Sequence, residues 1–159
     1  MMKWIIILII VVVIVLIVIS AYNKLIRMRN KVDESYATMD VYLKKRFDLI
    51  PNLVATVKGY AKHEADTLEK VVAQRGNAHG TGEILDSERA ITGAIRNLFA
   101  VAESYPDLKA NQNFMDLQGQ LKKVEEDIAN ARKYYNAVVR EYNDAIMTVP
   151  TNIIAGLFH

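Results

Sequence analysis

Trp4-Ile-Ile-Ile-Leu-Ile-Ile-Val-Val-Val-Ile-Val-Leu-Ile-Val-Ile19 is the stretch whose reading decides the fold. Apart from the indole N–H, no side chain in it carries a polar atom. No charge falls between Lys3 and Lys24, so the uncharged window runs from Trp4 to Asn23. As a helix rising about 1.5 Å per residue, that window spans about 30 Å, the hydrocarbon thickness of a bilayer. Within lipid the backbone must satisfy its own hydrogen bonds, so the stretch has to be helical despite its β-branched residues. Trp4, Ile5, Leu8, Val12, Leu16 and Ile19 sample the length of this anchor. A cleaved signal peptide is the competing reading. It fits less well, because cleavage after Ala21 would put Ile19 where a small residue is needed. Lys24, Arg27, Arg29 and Lys31 follow the span and only Lys3 precedes it. The positive-inside rule therefore favours a cell-membrane protein, single-pass, with its C-terminal domain in the cytoplasm.

Outward from the anchor, the apolar positions recur at helical spacing. Leu25, Met28, Val32, Tyr36, Met39, Leu43 and Phe47 step by three or four, and neither Gly nor Pro interrupts residues 20–50. The anchor therefore reads as one rod with the first helix of a soluble domain. Asp48-Leu-Ile-Pro51 reads as a stop and restart, with Asp48 as a cap and Pro51 in a first turn; a continuous helix carrying Pro51 inside it is the alternative. Segments of about 24–46, 49–75, 84–104 and 112–149 follow, separated by the Gly76–Gly82 loop and by Tyr105-Pro106. From Phe114 through Leu117, Leu121, Val124, Ile128, Ala131, Tyr135, Val138 and Tyr142 to Ala145, the steps of three and four hold a 3.5-residue repeat, as in coiled-coil packing. The expected fold is all-α. A transmembrane helix (1–23) is continuous with an antiparallel up-down four-helix bundle (24–149), and a short apolar tail (150–159) follows. In that layout the Gly76–Gly82 loop and the tail lie near the bilayer, and Tyr105–Ala110 forms the far tip.

Composition removes several function classes. Of 20 Lys+Arg and 18 Asp+Glu, only Lys3 lies before residue 20, so the soluble part is almost neutral and has no footprint for nucleic acid. Without cysteine there is no thiolate nucleophile and no Cys-based zinc site. His63-Glu64 begins like a zinc-protease helix, but position 67 is Thr, so two histidines do not share a face. Tyr60 and Gly76 stand three residues before His63 and His79, which excludes the Glu-x-x-His pairs of a di-iron bundle. The glycine loop lacks Gly-Lys-Ser/Thr and follows a helix, not a strand. Glu125-Glu126-Asp127 reads as a solvated face. No catalytic residue, cofactor or metal site is expected, and the chain reads as no enzyme. Glu64 lies on an apolar stripe and Arg132 flanks another, so the two are expected to form a structural polar pair. The repeated Tyr-Asn dipeptides at Tyr22, Tyr135 and Tyr142 read as register-fixing polar pairs.

Taken together, several motifs resemble the LemA family from roughly Tyr22 to Phe158. They are Arg29-Asn-x-Val32, Asp40-Val-x-Leu-Lys-Lys-Arg46, Asp48-Leu-Ile-Pro-Asn-Leu-Val54, Val57-Lys-Gly-Tyr-Ala61, Tyr105-Pro-x-Leu-Lys-Ala-Asn111, Asn113-Phe-x-x-Leu-Gln118 and Ile128-Ala-x-Ala-Arg132. The resemblance implies a membrane-anchored helical bundle of bacterial origin with no established enzymatic activity. It also implies links to membrane stress, to a membrane metalloprotease and, in one branch, to magnetosome membranes. Two departures stand out: Tyr36 replaces a frequent Trp, and relatives usually carry a further tail beyond the position of His159, so the chain reads as a shortened form. The expected partners are the lipid bilayer and other copies of the chain, in a homo-oligomer that braces or remodels the membrane. The overhang of the long fourth helix past its neighbours argues for those copies. The alternative is an adaptor that binds another membrane protein, such as a protease or a sensor.

Overall fold

The computed structural model describes residues 2–75 and 81–157, excluding the side chains of Thr81, Gly82 and Leu85. The described helices are α1 (Met2–Lys58), α2 (Lys62–Arg75), α3 (Thr81–Ala102), α4 (Pro106–Lys109), α5 (Gln112–Met147) and α6 (Thr151–Leu157). No strand occurs among the described residues, and the all-α expectation holds. Gly76–Gly80 of the expected loop, with His79, and Phe158 and His159 of the tail lie outside the described residues.

The expected stop at Asp48–Pro51 is corrected: α1 passes through both residues and ends at Lys58. Pro51 lacks the N–H that would bond Phe47, and its ring crowds that carbonyl. The helix survives because Ile50, Leu53 and Val57 are buried in the core, and their packing offsets the local loss. The chain breaks instead at Gly59, a poor helix former. There the Val57 carbonyl accepts from the N–H groups of both Tyr60 (2.9 Å) and Ala61 (2.8 Å). At 14 residues α2 spans about 21 Å. Because Pro51 sits mid-helix at an exposed position, Pro51→Ala is expected to stabilise the chain by about 1–3 kcal/mol. Thermal unfolding followed by circular dichroism checks this; a loss of stability would restore Pro51 to the role of helix start.

Packing divides the chain into two compact units, residues 40–129 and residues 1–39 with 130–159, where one domain over 24–149 was expected. The first is built around one apolar core. Ile50, Leu53 and Val57 of α1 meet Ala65 and Leu68 of α2, Ile91, Ile95 and Leu98 of α3, Leu108 of α4, and Phe114, Leu117 and Leu121 of α5. Phe99 and Phe114 add an edge-to-face contact, with ring centroids 6.0 Å apart. Pro106 opens α4 as its first residue, with Tyr105 in the extended conformation that a following proline demands. Asn111 caps α5: its Oδ1 accepts from the Phe114 N–H at 3.1 Å.

The second unit pairs residues 2–39 of α1 with the C-terminal part of α5 and with α6. Its buried side chains, among the described residues, are Leu25, Ser35, Met39, Val138 and Ile154. Tyr36 and Tyr135 meet edge to face at 5.7 Å. This corrects one argument for self-assembly. The seam of α5 beyond residue 130, which overhangs the 22-residue α3, finds a partner in α1 of the same chain. Residues 151–157 of the apolar tail form α6, with Ile154 buried.

Candidate functional site

In the 40–129 unit, the polar feature that the core is built to hold is Arg46. The Leu43 → Ile50 stripe of α1 passes through it, and both it and Glu88 of α3 are only 1 % exposed. One Nη of Arg46 donates to Thr92 Oγ1 at 2.6 Å and to Glu125 Oε1 at 2.5 Å. The other donates to the Glu88 carbonyl oxygen at 3.3 Å and to the Glu88 carboxylate. Arg75 of α2 donates through Nε to the second Glu88 oxygen and lays its guanidinium over the Phe47 ring, 5.0 Å from the centroid. Thr92 Oγ1 bonds the other oxygen of Glu125 at 3.2 Å.

Two guanidinium groups thus meet two carboxylates, and the cluster is neutral as a whole. Desolvating such charges is tolerable only because each finds several charge-assisted partners. The physical effect of the cluster is to key α1, α2, α3 and α5 to one another in a single register. Among the described residues, no group of three or more His, Asp or Glu is placed to hold a metal ion.

The sequence carried a signal for this cluster that was misread. The expected stripe stepped from Leu43 to Phe47, whereas Phe47 stands at the exposed edge and Arg46 faces the core. On α3 the stripe Ile84, Ile91, Ile95 skips one turn, and Glu88 fills the gap. Glu125 is not part of a solvated face; it is half-buried on Arg46.

Glu64 and Arg132, the pair expected to bury charge, fall in different compact units. Glu64 is half-buried in its unit and lines, with His63, a cavity of about 480 Å³ between α2 and α3. Arg132 is half-buried in the other, with its Nε shielded from solvent and unpaired. The Tyr-Asn dipeptides are also corrected. Asn23, Asn136 and Asn143 are exposed, while Tyr22 and Tyr142 line a small cavity of about 130 Å³. Tyr135 packs its ring on Tyr36 and Tyr142 lines the cavity, while the three asparagines stand at exposed positions.

The other candidate surface is the anchor itself. Trp4, Ile5, Leu8, Val12, Leu16 and Ile19 are all exposed on α1. Among the described residues nothing covers them, and the helix is long and apolar enough to cross a membrane.

The profile of the LemA family matches residues 35–159. Among curated relatives, Protein LemA of Metamycoplasma hominis is 25 % identical, over 84 % of this chain and 63 % of its own length. Magnetosome protein MamQ 2 of Paramagnetospirillum magneticum is 24 % identical, over 84 % of this chain and 60 % of that protein. Magnetosome protein MamQ of Magnetospirillum gryphiswaldense is 22 % identical with the same coverage. The chain thus spans less than two thirds of the length of these relatives. With the anchor, the Arg46-centred helical core and the match over most of its length in place, this chain belongs to the LemA family.

Proposed function

We propose that this chain is a non-enzymatic, membrane-anchored helical scaffold that assembles with copies of itself and braces or remodels the bilayer. One observation carries the reading: the bare apolar run and the helix on which the C-terminal part of α5 and α6 pack are the same unbroken helix, α1. An anchor that is also a packing element transmits its orientation in lipid to the residues packed on it. A flexible tether would not. The unit that holds the anchor has few buried side chains and leaves Ile26, Tyr36 and Tyr134 exposed, so its flanks are available to neighbouring copies. The span lacks Gly-x-x-x-Gly, so neighbours would pack through smooth β-branched surfaces. Relatives named as magnetosome proteins agree with a role at membranes. In this reading the core helices form an up-down antiparallel bundle on the cytoplasmic side, the side that the basic flank favours.

Mass photometry of the detergent-extracted full chain tests assembly, and large uniform particles are expected. Particles no larger than dimers would instead favour an adaptor for another membrane protein. The open cavity between α2 and α3, floored by Leu68, Val71, Gly93 and Ala94, supports that second reading.

A further inference from the structure

Residues 147–157 carry large apolar side chains that stand exposed among the described residues. Met147, Val149, Ile153 and Leu157 are 69, 76, 60 and 73 % exposed. No charged residue occurs from Ala145 to Leu157. Ile153 and Leu157, four residues apart, share the outer face of α6, while Ile154 is buried.

What α6 packs on sets its height. Ile154 and Ala155 line a cavity together with Tyr22, Leu25 and Ile26 of α1. Those α1 residues lie three to seven positions past Ile19, about 5–10 Å along the helix beyond the apolar run. The polar zone of a bilayer occupies that depth, and apolar helices lying in the interface settle there. From that level outward, about 7–18 Å past Ile19, α1 displays Lys24, Arg27, Arg29 and Lys31, of which Lys31 lies 3.5 Å from Glu141 of α5. That charge matches the anionic headgroups of a membrane surface.

We propose that α6 and the residues leading into it are a second membrane contact, an apolar foot seated in the bilayer interface beside the exit of α1. A second copy of the chain is the rival occupant. The lipid surface is favoured because the foot is continuous with the exposed apolar run, through the basic collar of α1. A foot of this kind gives the unit that holds α6 two points of attachment and so fixes its rotation about the α1 axis. The inference rests on the anchoring of α1 proposed above.

The absence of cysteine makes single labels straightforward. The full chain carrying Ile153→Cys, Leu157→Cys, Ile14→Cys or Asp33→Cys is labelled with nitrobenzoxadiazole. It is then reconstituted in vesicles of phosphatidylcholine and phosphatidylglycerol. Shallow spin-labelled phospholipids are expected to quench labels at 153 and 157 severalfold more than the label at 33, and dithionite is expected to reduce them more slowly. Labels at 153 and 157 that behave like the one at 33, while the label at 14 is quenched by lipid, would overturn the foot and leave the anchor standing. Labels at 153 and 157 that are shielded from both reagents and transfer energy between chains would overturn it in favour of a second copy. A label at 14 that lipid does not quench would overturn the anchoring reading and the foot with it.

Discussion

Arg46→Ala is expected to destabilise the 40–129 unit by about 3–5 kcal/mol, the usual cost of removing one partner from a buried ion pair. The loss is large because Arg46 is the common donor to Glu88, Thr92 and Glu125. Without it, Glu88 keeps only Arg75, and a carboxylate is left 1 % exposed beside an emptied volume. Urea unfolding of the detergent-solubilised full chain, read by far-ultraviolet circular dichroism, measures the effect. Two companions locate its cause. Glu125→Gln is expected to cost far less, because Glu125 is already partly open to water and Arg46 retains Glu88. Arg46→Leu combined with Glu88→Leu is expected to cost less than the sum of the single changes, since neither charge is then buried alone and Arg75 and Glu125 can turn to solvent. If the double change is simply additive, Arg46 contributes by packing and not by charge.

A Gly-Gly-Ser insertion after Ala21 is expected to leave the chain in the membrane fraction and to dissolve its assemblies. The anchor residues Trp4 to Ile19 are untouched, so the transfer of apolar surface into lipid is retained. The insertion falls in α1 just before the residues on which α6 and the C-terminal part of α5 pack. Two glycines there favour the coil by about 2 kcal/mol, and the span no longer sets the direction of the helix that follows. Mass photometry would then report small particles in place of uniform large ones. Assemblies that persist unchanged would make the anchor a tether, and the scaffold reading would lose its main support.

The sequence by itself determined the all-α class and a first helix long and apolar enough to cross a membrane. An uncharged run of that length admits one structure in lipid, and steps of three and four mark helical faces wherever they are sustained. The Asn111 cap was legible for the same local reason, since a side-chain oxygen three residues before a free N–H has one obvious use. What only the tertiary structure decided was which residue of an ambiguous pair turns inward. Arg46 and Phe47 both sit within a turn of the Leu43–Ile50 stripe, and hydrophobicity alone selects Phe47. The choice of Arg46 depends on Glu88 and Glu125, which are 42 and 79 residues away in the chain. The continuation of α1 through Pro51 has the same origin, because burial of Ile50, Leu53 and Val57 outweighs one missing hydrogen bond. So does the fate of the long α5 seam, which the sequence seemed to leave to other copies and which α1 partly covers. Periodicity reports the faces of a helix because that information is local; what each face meets is a long-range pairing, and only the folded chain supplies it.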